Sequence, residues 1–224
     1  MATVNELARP SDVLLFEEGE EVNLVRSAIT VISGTAACKT GQVMGQITMA
    51  GATETHAGNT GNGAMTLDAS PVLANAKPGI YTVKCVTAAT NSGTFQVIDP
   101  NGNGLGQYIV AAAAFANGIK FTIADGSTDF IVGDTFLVTV AAGSLKWTQV
   151  TPAALDGSQY AAGVLLFPVN AVSADASGVI VARGPSILKT GGIVYTSGMT
   201  TPQKTTALAQ LLALGIQSRT DYGV

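Results

Sequence analysis

The chain has 224 residues, enough to bury a substantial core in one large β domain or in two smaller ones, and two is the preferred reading. Charged residues make up only 12% of it, against about a quarter in an ordinary soluble domain, which points to a surface largely covered by partners. The net charge of −4 and the lack of any Lys/Arg cluster argue against a nucleic-acid binder, and no apolar stretch reaches the roughly 18 residues of a membrane span.

The opening "MATVNELARPSD" lacks the basic and apolar regions of a signal peptide, so the expected place of synthesis is the cytoplasm. Residues 1–12 are polar and contain Arg9-Pro10; a residue before proline is pushed toward extended conformations, so this segment reads as a non-helical arm. It runs into "RPSDVLLFEEGEE", where Val13, Leu14, Leu15 and Phe16 are followed by Glu17, Glu18, Glu20 and Glu21. Adjacent carboxylates on an extended chain point to opposite faces, and around Gly19 they would be solvated. The glutamates therefore read as a solvated charge run, with no acid/base pair.

From 24–33 through 41–49, β-branched residues in alternation suggest two strands joined by a turn near Gly34 to Gly41. The stretch 50–79 is rich in Gly, Asn, Thr and Ala and reads as a linker. Short alternating segments follow, broken by Asn91-Ser92-Gly93, Asp99-Pro100-Asn101-Gly102 and Asp125-Gly126. This spacing predicts a β-sandwich, with Tyr81, Val83 and Cys85 on one face and Thr82, Lys84 and Val86 on the other. Phe95, Val97, Phe121, Ile123, Phe136 and Val138 hold equivalent core positions.

After residue 145 the texture reverts: "GVLLFPVNAV" and "GVIVARGPSIL" are apolar runs of the kind buried on both faces. In "MTTPQKTTALAQLLALGIQ", Thr201 as cap, Pro202, the stripe Ala207, Leu208, Leu211 and Leu212, and Gly215 as stop predict a helix over 202–214. The expected fold class is therefore mainly β: a small β-rich host domain, 1–49 plus 145–224, with one short C-terminal helix, interrupted by an inserted sandwich, 50–144.

Chemistry-bearing constellations are sparse. His56, the only histidine, falls in the 50–79 linker, where no Ser-His-Asp arrangement would hold it rigidly. Asp125, Asp129 and Asp134 lack the spacing of a calcium loop, and Cys38 and Cys85 read as two buried or half-buried thiols without a disulfide or zinc role. The glycines of "GNTGNG" and "GNGLG" do not sit between a strand and a helix, as a phosphate loop would require. Trp147 reads as a packed residue where the chain re-enters the host domain. No enzyme, metal or cofactor is expected.

The host segments resemble the head decoration proteins of tailed bacteriophages, the family of the phage lambda capsid-stabilising protein. Ser11-Asp12 before the apolar run and its acidic neighbour, Arg26-Ser27, Ala162-Gly163-Val164-Leu165 and Val181-Ala182-Arg183-Gly184 carry the resemblance. It implies a structural virion protein: a homotrimer on the outer surface of the head, with Thr3, Val4, Asn5, Glu6, Leu7, Ala8, Arg9 and Pro10 as an arm on the major capsid protein. Pro10 would end the arm, and Val13 to Phe16 would anchor it in the trimer or the host core. The glutamates would keep the next loop soluble and free of stray strand pairing. The middle module resembles the Ig-like inserts of phage structural proteins. An alternative makes that module the working part, a carbohydrate- or receptor-binding display domain for a host-surface glycan, which would call for exposed aromatics. A tail-tube or fibre subunit would instead form open polymers.

Overall fold

The computed structural model describes residues 8–18 and 25–220. The protein is mainly β. Its strands are β1 (Leu14–Glu17), β2 (Arg26–Val31), β3 (Val43–Gln46), β4 (Met49–Thr55), β5 (Ala64–Val72), β6 (Gly79–Ala89), β7 (Ser92–Ile98) and β8 (Gly104–Ile109). They continue with β9 (Phe115–Asn117), β10 (Ile119–Ala124), β11 (Thr135–Ala142), β12 (Trp147–Gln149), β13 (Gly163–Leu165), β14 (Ala176–Val181) and β15 (Ser186–Lys189). Helix α1 (Thr201–Ala213) and β16 (Ile216–Arg219) close the chain. Contacts divide it into two compact units, residues 1–47 with 145–224 and residues 48–144.

In the first unit β12, β2, β14, β13 and β3 close into a small barrel. One face of the barrel strands packs Ile29, Val31, Met44, Leu165 and Ile180 together with buried Cys38, and half-buried Trp147 lies against them. A second cluster joins the barrel to a three-stranded sheet, β1-β15-β16, and to α1: Val13, Val43, Val164, Val181, Leu188, Ala207, Leu211 and Ile216 are all buried in it. β15 and β16 run parallel, with α1 as the crossover between them.

The expected helix is present, shifted by one residue. Thr200, not Thr201, is the N-cap, and its backbone N–H donates to Gln203 Oε1 at 2.8 Å. Gly215 ends the helix with φ +80°. Of the expected stripe, Ala207 and Leu211 are buried and Leu208 is half-buried, but Leu212 is 57% exposed. The run "GVLLFPVNAV" supplies only the three-residue β13, because Pro168 lacks the N–H a longer ladder needs.

In the second unit a five-stranded sheet, β4-β11-β6-β7-β8, and a three-stranded sheet, β5-β10-β9, share one core. Tyr81, Val83, Cys85, Phe95, Val97, Phe121, Ile123, Phe136 and Val138 are each at most 1% exposed, as the alternation predicts. The stretch read as a linker is in fact ordered: it holds β4 and β5, and β4 pairs with β11 from Met49 to Thr55. Its pattern is mostly exposed, so it carries no hydrophobic alternation to announce a strand.

Candidate functional site

The described part of the arm is held to the first unit by main-chain contacts. Residues Pro10–Asp12 form a single 3-10 turn, with Pro10 opening it; the proline expected to end an extended arm starts a turn, because its fixed φ suits the first helical position. The turn is closed reciprocally: Arg9 N–H donates to Asp12 Oδ2 at 2.7 Å, and Asp12 N–H donates to Arg9 O at 3.0 Å. Before it, the buried Thr40 hydroxyl donates to Ala8 O at 3.1 Å. After it, Lys189 N–H donates to Val13 O at 2.7 Å, and Val13 fills the core beneath.

Two glycines make this approach close. A Cβ on Gly192 would fall well inside contact distance of Asp12 O and 3.0 Å from Val13 Cα. Gly41, with φ +84°, carries the backbone that lies against Gly192, and a Cβ there would strike Gly192 O. Beside this seat opens a cleft of about 440 Å³, lined by Asp12, Lys39, Thr40, Lys189 and Gly192 among others. Thr3 to Leu7 lie outside the described residues.

The four anchor residues separate into two roles. Val13 is 1% exposed and Leu14 half-buried against the same core, whereas Leu15 and Phe16 are 43% and 50% exposed. The cause is a bulge: Leu14 pairs with Leu188 and Phe16 with Ile187, leaving Leu15 as an extra residue, so two successive apolar side chains face solvent. Glu17 departs from the solvated charge run expected for it. Its side chain is 3% exposed and forms a bidentate pair with Arg26, whose Nε donates to Oε2 at 2.9 Å while Nη2 meets Oε1. Glu18 is exposed and its N–H donates to Pro185 O, while Glu20 and Glu21 lie outside the described residues.

The second unit offers little chemistry. His56 is an exposed residue just past β4, its Nδ1 2.7 Å from Glu54 Oε1 and its ring edge-on to Phe136. Asp134 is a structural acceptor: Thr60 and Gly61 N–H donate to it at 2.9 Å and Ile131 N–H at 3.1 Å. Burial pushes its carboxyl up, and these three donors more than offset that, holding it below the ordinary value. Asp99 is held low chiefly by the Lys77 ammonium at 2.7 Å, against burial, with Asn101 and Asn103 N–H donors adding to the effect. Among the described residues no cluster of three or more acidic, His or Cys side chains could hold a metal. Cys38 and Cys85 are buried free thiols, both pushed up by burial. Every Phe and Tyr of this unit is buried except Phe115, which is half-buried, so the exposed aromatics a glycan platform calls for do not occur among its described residues. No helix among the described residues is long and apolar enough to cross a membrane.

Thr40, Gly41, Gly192 and the Arg26 partner of Glu17 were not singled out in the sequence as site residues. Their one local signal is glycine: Gly41 between polar residues and the Gly191-Gly192 pair.

No curated protein matches the chain. Among solved structures, two crystal forms of Xanthomonas campestris FlgL align at 22% and 23% identity. They cover 50% and 53% of this chain but only 34% and 33% of the other, with TM-scores of 0.30 and 0.29, too low to bear on the fold. The family model described as bacteriophage lambda head decoration protein D matches residues 3–216, beginning in the first host segment and ending in the second. The chain therefore belongs to the bacteriophage lambda head decoration protein D family, whose members are structural proteins of the phage capsid.

Proposed function

We propose that the protein is a capsid cement. It sits on the outer surface of the phage head as a homotrimer and lays its N-terminal arm, Thr3 to Pro10, on the major capsid protein. Leu15 and Phe16 bury against neighbouring copies, and the inserted unit, read as an Ig-like module, is carried along without being needed for binding. The family match carries this reading. It is supported by the seating of residues 8–13 on the host unit and by the two consecutive apolar side chains that β1 leaves uncovered.

The physics of such a clamp is simple. An added strand binds through backbone groups and tolerates many sequences, so an arm needs no elaborate motif. Once one arm of a trimer is bound, the next two bind intramolecularly, which raises avidity by about 10²- to 10⁴-fold. Shell expansion must then break several contacts together.

The test is mass-resolved sizing followed by co-sedimentation with undecorated heads, using the intact chain and a variant lacking residues 2–7. Saturable binding in multiples of three, lost in the shortened variant while its oligomeric state persists, is the expected result. Undiminished binding by the shortened variant would move the capsid contact away from the arm.

A further inference from the structure

We propose that Thr40, Gly41 and Gly192 form a positioning device that sets the direction in which the arm leaves the host unit. This inference rests on the arm reading above and names the residues on which it depends.

The device has three parts. Ala8 is exposed, yet its carbonyl is bound by a hydroxyl that is itself almost completely buried: Thr40 is 3% exposed, and its Oγ1 lies 3.1 Å from Ala8 O. The bond is only part-buried, so its loss costs folding no more than one ordinary hydrogen bond. It also fixes the backbone at Ala8, at the root of the arm. Four residues on, the backbone of Asp12 and Val13 runs across Gly192 so closely that no Cβ fits, and Gly192 is itself backed by Gly41. Between these two points the reciprocal Arg9 and Asp12 hydrogen bonds make the segment a stiff turn. A chain held at Ala8 and at Asp12–Val13, with a closed turn between, gives the root of the arm one fixed orientation on the unit. Ordering the root before binding removes that entropy cost from the binding step.

Thr40→Val keeps the shape of the side chain and removes the donor. One hydrogen bond is equivalent to about a 2- to 10-fold effect on each arm. Three arms on one trimer multiply this to about a 10- to 1000-fold loss in head affinity. The oligomeric state is expected to stay as it is, and the melting temperature to fall by no more than the loss of one hydrogen bond accounts for. Thr40→Ser, which keeps the hydroxyl, restores affinity.

A spin label placed through Ala8→Cys supplies a readout that a purely structural role for Thr40 would leave unmoved. Both native cysteines are buried and will not compete for the label. The label is expected to be immobile beside Thr40 or Thr40→Ser and mobile beside Thr40→Val. Gly192→Ala, which pushes on the backbone of residues 12 and 13, is expected to weaken head binding as well; if that variant fails to fold, Thr40→Val still decides.

Full-strength binding by Thr40→Val, or a label that stays immobile in it, overturns the proposal. If the variant lacking residues 2–7 loses binding while Thr40→Val keeps it, the arm reading stands and the seat falls. If the shortened variant binds as well as the intact chain, the arm reading itself fails, and the seat with it.

Discussion

On the homotrimer reading proposed above, replacing Leu15 and Phe16 together by serine is expected to weaken self-association without unfolding the protomer. Complete burial of a Leu or Phe side chain contributes about 1.5–3 kcal/mol. Leu15 is 43% and Phe16 50% exposed, so roughly half of that remains to be gained at each, or about 1.5–3 kcal/mol per protomer. Three protomers bring this to about 4.5–9 kcal/mol per trimer, a change of about 10³- to 10⁶-fold in the association constant at about 1.4 kcal/mol per decade. Sedimentation velocity over a range of concentrations measures it, with circular dichroism to verify that the double variant is folded. Val13→Ala is the internal contrast, because Val13 is already 1% exposed in the protomer. Its lost methyls and the cavity left behind should cost about 2–3 kcal/mol of folding stability and leave the oligomeric state of the folded fraction unchanged. A Leu15→Ser, Phe16→Ser protein that associates as tightly as the parent would refute the reasoning and place the subunit contact on another face.

Three further outcomes are expected. Glu17→Gln removes the anionic partner of Arg26 from a site where the glutamate is 3% exposed and the arginine 32%, and should cost about 1–3 kcal/mol in chemical denaturation; no loss would mean that the pair contributes nothing net. Asp134 is held low in the folded state, so its contribution is present above the unfolded carboxyl value of about 4 and is lost as pH falls through the lower folded value. Asp134→Asn should therefore cost about 1–3 kcal/mol at neutral pH and flatten the acid limb of a calorimetric pH series, and an unchanged acid limb would assign that limb to other carboxyls. Replacing residues 48–144 by Asn-Gly should leave a folded host unit that still binds heads. Ile47 N–H donates to Lys146 O and Leu145 N–H to Ile47 O, both at 2.9 Å, so the two ends already stand opposite one another as a hairpin; an unfolded product on circular dichroism would show that the host unit depends on the insert.

The inserted sandwich was the most legible part of the chain, because a half-buried strand shows its face in a period of two. Tyr81, Val83 and Cys85 turn inward and Lys84 outward, as the alternation predicts. β4 was illegible for the same reason in reverse: it is mostly exposed, so it offers only a polar, Gly- and Thr-rich composition, the composition of a linker. His56, which directly follows β4, shares that composition. In "VLLF", alternation alone would turn Leu15 and Phe16 to opposite faces. The bulge that brings both out is set by pairing with Ser186–Lys189, some 170 residues away, and nothing local specifies it. The burial of Glu17 is illegible in the sequence because its partner is nine residues on, beyond the reach of helix or strand periodicity.

The seat of the arm was hidden for a deeper reason. Its contacts run through Ala8 O, Val13 O and Lys189 N, and a backbone group makes the same hydrogen bond whatever side chain it carries. A site built this way places almost no demand on residue type where it binds. The demand falls instead on positions that must stay out of the way or supply one short donor: a glycine where two backbones touch, a threonine where a carbonyl needs a partner. Such residues are common, and in a chain with 26 glycines Gly41 and Gly192 look like any others until the strands are in place. On the arm reading proposed above, in which the partner is held by main-chain pairing, the functional residues are the ones that shape and aim the backbone. Substitutions that add a Cβ or remove a hydroxyl at the root should be more damaging to binding than most side-chain changes along the arm itself.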